Sequence, residues 1–532
     1  MPESKEVEIK RMLYFLIAIS TALRIFFAST LEFSVDEVYY WTYALFPDWS
    51  HFDHPPMVGW VIQLFTLNLL VENELSIRLG AIVFSAFNTL IIYSIGKTIK
   101  NPVTGLYAAL LFNASIYCSV LAGNFIIPDS PQLLFWLLSL KHLLRSLPNK
   151  TLDRKVAMNF LLASLFTGFA IISKYHGVFI LAGTGLYVLF FNRNWLKKPV
   201  FYFGIFLSVL FVIPIIIWNI QNDWISFTFH GDRVASQFRL RFDYLFTELV
   251  GQFAYNNPVN YVTIVLGLIA VYKRKLTLNK EYMRILLLNS FPIWMVFTSF
   301  SLFRQTLPHW TGPAFTSLII IASAYLSQKA ENRVPITSAK LPIPKEIKIS
   351  IYLLLVLMFT AWGLINYFPG TIGKKTSVSK FGDTDFTLDM YGWDQIKDGF
   401  EKIAKADVGS GYMSKEAPIV SPKYFPGTEI DFYVARPLNR KVLQYGKLTD
   451  IHKYAWINNA RGHLSKGDDA YMISTSNWYK DPFEYYSKNF ETIIPADTIE
   501  ITRSGKLAYY AFVFQMKNYK GNFENPLTNN GH

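Results

Sequence analysis

Pro199-Val-Phe-Tyr-Phe-Gly-Ile-Phe-Leu-Ser-Val-Leu-Phe-Val-Ile-Pro-Ile-Ile-Ile-Trp-Asn-Ile220 runs for 22 residues without a charged side chain. As a helix it would be about 33 Å long, enough to cross the hydrocarbon core of a bilayer. It is apolar on every face, which a surface helix of a soluble protein is not. The same texture extends in both directions. From Arg11 to Phe368 apolar runs alternate with short polar breaks, and from Pro369 onward the chain reads as soluble. Further spans are predicted at Arg11–Ser29, Leu75–Ile95, Val103–Val120, Phe125–Leu140, Val156–Ser173, Tyr175–Phe191, Pro258–Tyr272, Ile285–Phe303, Trp310–Leu326 and Ile349–Phe368. Met57–Val71 is also apolar but short, and it ends in Glu72, Asn73 and Glu74; it reads as an interfacial or re-entrant helix.

Composition agrees. The chain is 52% hydrophobic and 17% aromatic, with a mean hydropathy of +0.24. Its net charge of +13 does not point to nucleic acid, because Lys and Arg gather in short loops between apolar runs, where they set topology. One set of loops holds Lys97 and Lys100; Lys150, Arg154 and Lys155; Arg193, Lys197 and Lys198; and Lys273, Arg274 and Lys275. These loops are expected to be cytoplasmic, as is the N-terminus. The odd number of spans then puts the C-terminal domain outside. The first run lacks a small-residue cleavage site and reads as an uncleaved helix. Cys118 is the sole cysteine, so no intramolecular disulfide can form. The expected organisation is a membrane domain over residues 1–368, with a large first outer loop at 30–74, and an extracytoplasmic α/β domain over 369–532.

Sorting the loops by side separates filler from chemistry. The outer loops and helix ends hold Asp36, Glu37, Asp53, His54, Arg78, Asp129, Lys174, Asp223, Arg233 and His309. Ionisable groups at the edge of hydrocarbon are costly and usually functional. The first loop is the richest: Ser34-Val-Asp-Glu-Val-Tyr-Tyr-Trp41, then Asp48-Trp-Ser-His-Phe-Asp-His-Pro-Pro-Met57. A carboxylate there can act as general base toward a hydroxyl, and Asp53 with His54 can contribute to a divalent metal site. Asp129 stands between prolines at a span mouth, where an aspartate also serves as a helix cap. Lys174, in the tight Ser173-Lys-Tyr-His-Gly177 turn, and Arg233 are candidate phosphate ligands. His309 lies in Leu307-Pro-His-Trp310 at another span mouth. No P-loop, GxSxG, HExxH or CxxC motif occurs in a fitting context.

Taken together, Asp36-Glu-Val-Tyr-Tyr-Trp41, Phe52-Asp-His-Pro-Pro56, Pro128-Asp-Ser-Pro131, Ser173-Lys-Tyr-His-Gly177, Trp218-Asn-Ile-Gln-Asn-Asp-Trp224 and Leu307-Pro-His-Trp310 resemble bacterial members of glycosyltransferase family 39. This is the dolichyl-phosphate-mannose protein mannosyltransferase superfamily, which includes the lipid A aminoarabinose transferases. The resemblance spans most of the membrane domain, in order. It implies a GT-C fold of about 11 to 13 transmembrane helices in a bacterial inner membrane, often with a soluble domain behind. It implies a polyprenyl-phosphate sugar donor and transfer with inversion to a lipid, protein or glycan acceptor. Asp36 matches the acidic residue of the first loop, Asp129 a second acidic position and Lys174 a phosphate-side lysine. Asp53-His54 falls where the lipid A enzymes carry Glu-Lys, a place associated with a metal or donor phosphate.

The expected roles follow. Asp36 takes the proton of the acceptor hydroxyl. Asp129 orients hydroxyls. Lys174, Arg233, Arg78, Glu37 and His309 bind substrate or the leaving phosphate, with a possible divalent metal at Asp53 and His54. A polytopic secondary transporter or flippase is the alternative, and an oligosaccharide polymerase or ligase a further one. In the C-terminal domain Trp393–Ile403 reads as a helix, and Ala417–Val420, Ala470–Ser474 and Ala508–Phe514 read as strands.

Overall fold

The computed structural model describes residues 3–235, 239–332 and 341–527, with residues 230 and 232–235 described by backbone alone. The chain forms two compact units. One comprises Met1–Ser29 and Pro47–Met358, the other Thr30–Phe46 and Phe359–His532.

The first unit is helical. Its elements are α1 (Glu3–Thr30), then, after an α2 (Val35–Leu45) that belongs to the second unit, α3 (Met57–Phe65), α4 (Glu74–Ile99), α5 (Pro102–Ala114), α6 (Asp129–Ser146), α7 (Arg154–Ser173) and α8 (Val178–Phe191). The series continues with α9 (Pro199–Leu210), α10 (Ile213–Gln221), α11 (Ile225–Ala235), α12 (Phe242–Tyr255), α13 (Pro258–Tyr272), α14 (Lys280–Leu288), α15 (Phe291–Phe300), α16 (Gly312–Glu331) and α17 (Lys345–Tyr367), whose residues from Phe359 on belong to the second unit. Among the described residues, six helical segments are long and apolar enough to cross a membrane: Glu3–Thr30, Glu74–Ile99, Arg154–Ser173, Pro199–Gln221, Lys280–Phe300 and Lys345–Tyr367. Pro102–Ala114, Tyr175–Phe191 and Pro258–Tyr272 are shorter apolar helices. The two remaining predicted spans are the helices α6 and α16, and α16 is buried along nearly its whole length. α3 has only nine residues, about 13 Å of helix, and is too short to cross.

Three predicted spans are broken, for different reasons. Pro214 cannot donate to the carbonyl of Leu210, and the run from Pro199 splits into α9 and α10 there. Pro292 does the same to Leu288 between α14 and α15. The run Val103–Val120 contains no such proline, yet α5 stops at Ala114 and a π-turn follows at Tyr117–Leu121. Side chains hold that break open. The Ser119 hydroxyl donates to the Asn113 carbonyl at 2.6 Å, and the Asn257 amide donates to the Ala114 carbonyl at 2.9 Å. The Arg24 guanidinium donates to the Asn113 side chain at 3.0 Å and the Ser119 carbonyl at 3.4 Å. Backbone groups freed in an apolar interior need such partners. Elsewhere α4 and α5 meet backbone to backbone: a Cβ on Gly96 would sit 2.8 Å from the Gly105 Cα.

The second unit has a five-stranded sheet in the order β2-β1-β3-β5-β4. Its strands are β1 (Ile419–Ser421), β2 (Val442–Gln444), β3 (Ala470–Thr475), β4 (Phe490–Arg503) and β5 (Lys506–Tyr519). β1 is parallel to β2 and β3; β5 is antiparallel to β3 and β4. Both Ser504 and Gly505 have positive φ, the backbone of a tight hairpin turn joining β4 to β5. The predicted helix is α18 (Trp393–Gly409), and the three predicted strands fall on β1, β3 and β5. β4 escapes a reading by pattern because Pro495 interrupts it, where the pairing register shifts; as an edge strand it tolerates that proline. This unit also includes residues 30–46, the first part of the predicted outer loop.

Candidate active site

In the first unit, Asp129 opens α6 and Lys174 ends α7. Their side chains form an ion pair, Lys174 Nζ to Asp129 Oδ2 at 2.7 Å, with side-chain exposures of 4% and 3%. The Tyr117 hydroxyl, carried by the π-turn, donates to Asp129 Oδ1 at 3.1 Å. His309, in the short turn Pro308–Thr311, lies within electrostatic range of both Asp129 and Lys174. Gly312 lets that turn approach, since a Cβ there would sit 2.3 Å from the Tyr117 ring. Two charges so deeply removed from water cost several kcal/mol each, on the order of what their attraction and the tyrosine bond return. The sequence candidates Asp129, Lys174 and His309 are therefore brought together. Tyr117 was missed, because only the break after α5 turns it toward Asp129.

The stretch before α3 is pinned onto α10 and α11. The Trp218 indole donates to Asp48 at 2.7 Å, the Ser226 hydroxyl donates to the His51 carbonyl at 3.1 Å, and Phe52 packs on Phe229 with ring centroids 4.4 Å apart. Asp53 and His54 are half-buried there. Asp53 lies in electrostatic range of Tyr175, the residue after Lys174. Among the described residues no three His, Cys, Asp or Glu side chains gather as a metal site would require, so Asp53 and His54 would be two donors of the four to eight that Zn²⁺ or Ca²⁺ takes. Arg78 is fully buried. It donates to the Ala28 carbonyl at 3.1 Å and lies over the Phe125 ring, tying α4 to the end of α1. The side chain of Arg233 lies outside the described residues.

In the second unit, Asp36 and Glu37 occupy the first turn of α2 and differ sharply. Glu37 is buried. Its Oε2 accepts from the Ser34 amide at 3.1 Å and the Ser34 hydroxyl at 2.9 Å. This is a capping box, in which the glutamate satisfies a backbone donor at the helix start. Asp36, one residue earlier, is exposed. The pair therefore divides into a buried capping carboxylate and an exposed one.

Two further carboxyls belong to this unit and were not anticipated. Glu429 is fully buried, and among the described residues neither of its oxygens has a hydrogen-bond partner. Burial pushes its acid well above the usual range, and the negative charges of Asp389 and Asp36 push it further. Asp389 accepts from the Trp478 indole at 2.7 Å, and burial raises it to about 6. The one sequence signal was Glu429-Ile-Asp-Phe-Tyr-Val-Ala435, two acids set in an otherwise apolar run.

A family model described as dolichyl-phosphate-mannose-protein mannosyltransferase matches residues 53–218, which carry the Asp53-His54, Asp129 and Lys174 motifs. Among solved structures, ArnT from Cupriavidus metallidurans in the apo state superposes with a TM-score of 0.58 at 13% identity, covering 95% of this chain and 98% of that one. The chain has a GT-C fold. The same ArnT bound to undecaprenyl phosphate matches with the same score, identity and coverage. The apo oligosaccharyltransferase from Archaeoglobus fulgidus matches at 0.50 and 11% identity, over 89% of this chain and 70% of that one. No curated protein matches the sequence.

Proposed function

We propose that this GT-C protein is a membrane glycosyltransferase that moves a monosaccharide from a polyprenyl-phosphate carrier to a hydroxyl of an extracytoplasmic acceptor, with inversion. The acceptor oxygen attacks the anomeric carbon, its proton passes to Asp36, and the bond from that carbon to the phosphate oxygen breaks. The leaving lipid phosphate carries the electron pair away, and Lys174 offsets its charge. Asp129, itself held by the Tyr117 hydroxyl, holds the ammonium where a phosphate can share it, and His309 lies in electrostatic range of the pair. The acceptor is a lipid, a protein or a surface glycan, and membrane lipids surround the helices.

The observation that carries this reading is the buried Lys174–Asp129 pair. Ionisable groups at a span mouth usually mark a functional site, and an ammonium there suits an anionic phosphate. The matched solved structure with undecaprenyl phosphate names a carrier of the right chemistry. The test has two arms. Undecaprenyl phosphate binding to the purified protein should weaken at least tenfold in Lys174→Ala. Mass spectrometry of glycolipids and glycoproteins from a deletion strain should show a lost sugar that the wild-type gene restores and Asp36→Asn does not. Restoration by Asp36→Asn would remove Asp36 from the role of base.

A further inference from the structure

α2 enters and leaves through backbone groups that the C-terminal residues hold. Just before its cap, the Phe33 amide donates to the Tyr433 hydroxyl at 2.7 Å. At its far end, the Lys453 ammonium donates to the carbonyl of Phe46, the C-cap residue. Lys453 is itself buried, and its ammonium lies 4.6 Å from the Tyr43 ring centroid. A cation here also complements the negative end of the helix. Between these anchors, Trp41 packs edge-on against Phe432 at 5.1 Å, and Tyr39 packs against Tyr424 at 5.2 Å. Tyr424 belongs to α19 (Tyr424–Glu429); Phe432 and Tyr433 lie in the π-turn that continues it. Glu37 and residues 38–44 are buried in this grip, and Asp36 alone of the two carboxylates is left exposed.

An 11-residue helix is too short to be stable alone in water. Its orientation is therefore set by what holds it. We propose that the C-terminal unit is the positioning scaffold of α2, with Tyr433 and Lys453 as positioning residues that set the angle of the Asp36 carboxylate. This rests on the proposed role of Asp36 as base. It gives residues 359–532 a task inside the reaction, as the part of the enzyme that aims its base. Remote elements that fix a catalytic group within a fraction of an ångström contribute rate without touching substrate.

The test uses the full chain in lipid nanodiscs, with Tyr433→Phe, Lys453→Met, the double variant and Lys453→Arg. Amide exchange across residues 34–46 should rise at least tenfold in the double variant, while exchange in β3 and β5 stays as in the wild type. Undecaprenyl phosphate binding should stay within twofold. The product restored to the deletion strain should fall at least tenfold, and Lys453→Arg should recover most of it. A collapse of the unit would instead raise exchange throughout the sheet. Unchanged exchange over 34–46, or raised exchange with full product restoration, would overturn the proposal. If Asp36→Asn restores product, the base assignment fails by itself, and the exchange arm still decides whether the C-terminal unit holds α2.

Discussion

Asp129 and Lys174 stand or fall together. Removing one partner leaves a bare charge in a site of a few per cent exposure, and such losses cost about 3–5 kcal/mol. Lys174→Met and Asp129→Asn should each lower the thermal unfolding midpoint. The double variant should lose less than the sum of the two, because it leaves no uncompensated charge. Additive losses would mean that the pair is not coupled. Glu429 gives the opposite expectation. Its acid is raised in the folded chain above the ordinary value near 4.5, so the folded state binds a proton that the unfolded state releases. The contribution of that protonated acid is complete below about pH 4.5 and is lost as pH climbs toward the raised folded value. Unfolding of the C-terminal unit, followed by exchange in β3 and β5, should therefore ease as pH rises from 4.5. Glu429→Gln should flatten that dependence; an unchanged slope would assign it to other groups. Asp36 and Glu37 show how far single residues were legible. By sequence Glu37 reads with the substrate ligands; its burial and its bonds to Ser34 in a capping box separate it from the exposed aspartate only in three dimensions. Glu429 was not legible, since its burial depends on packing that no local pattern encodes.

At the scale of elements, hydropathy located every predicted span as a helix, because apolar length is a local property. Breaks were legible only where a proline caused them, at Pro214 and Pro292. The break after Ala114 depends on Ser119, Asn257 and Arg24 reaching from elsewhere, so it appears only in three dimensions. That break matters because the turn it creates carries Tyr117 to Asp129. Arg24→Met would remove the bonds that hold the π-turn. It should weaken undecaprenyl phosphate binding several-fold with the span still inserted, and Arg24→Lys should restore part of it. Normal binding in Arg24→Met would show that the turn holds without the arginine. In the second unit, Ser34→Ala removes the cap of α2 at a cost of about 1 kcal/mol. Amide exchange at residues 35–38 should rise accordingly, and no rise would mean that the aromatic packing alone keeps the first turn closed.

For the molecule as a whole, the charge bias of the loops predicts Lys273–Lys275 in the cytoplasm and residues 369–532 outside. The lone native cysteine is buried and leaves a quiet background for labelling. In intact spheroplasts an impermeant maleimide should react with Glu500→Cys and not with Lys273→Cys. The reverse pattern would invert the topology and move the proposed chemistry to the cytoplasmic face. Domain boundaries were the least legible feature. A reader of the sequence cuts where hydropathy falls, near residue 369, and assigns the first loop to the membrane domain. The fold joins residues 30–46 to residues 359–532, and no composition shift announces that union.

That union has a consequence for how the protein is made. Residues 30–46 leave the ribosome early, and the residues that clasp them, Tyr433 and Lys453, follow roughly 400 positions later. At about 5–20 residues per second that is a wait of roughly 20–80 seconds. Through that interval the membrane helices insert while α2 has nothing to fold against. A chain stalled or cut before the C-terminal unit would carry Lys174 but, on the proposed roles, would hold Asp36 on a helix with no fixed aim. On the proposed mechanism synthesis doubles as a safety catch, since the transfer proposed for Asp36 waits until the last part of the chain has been translated and folded.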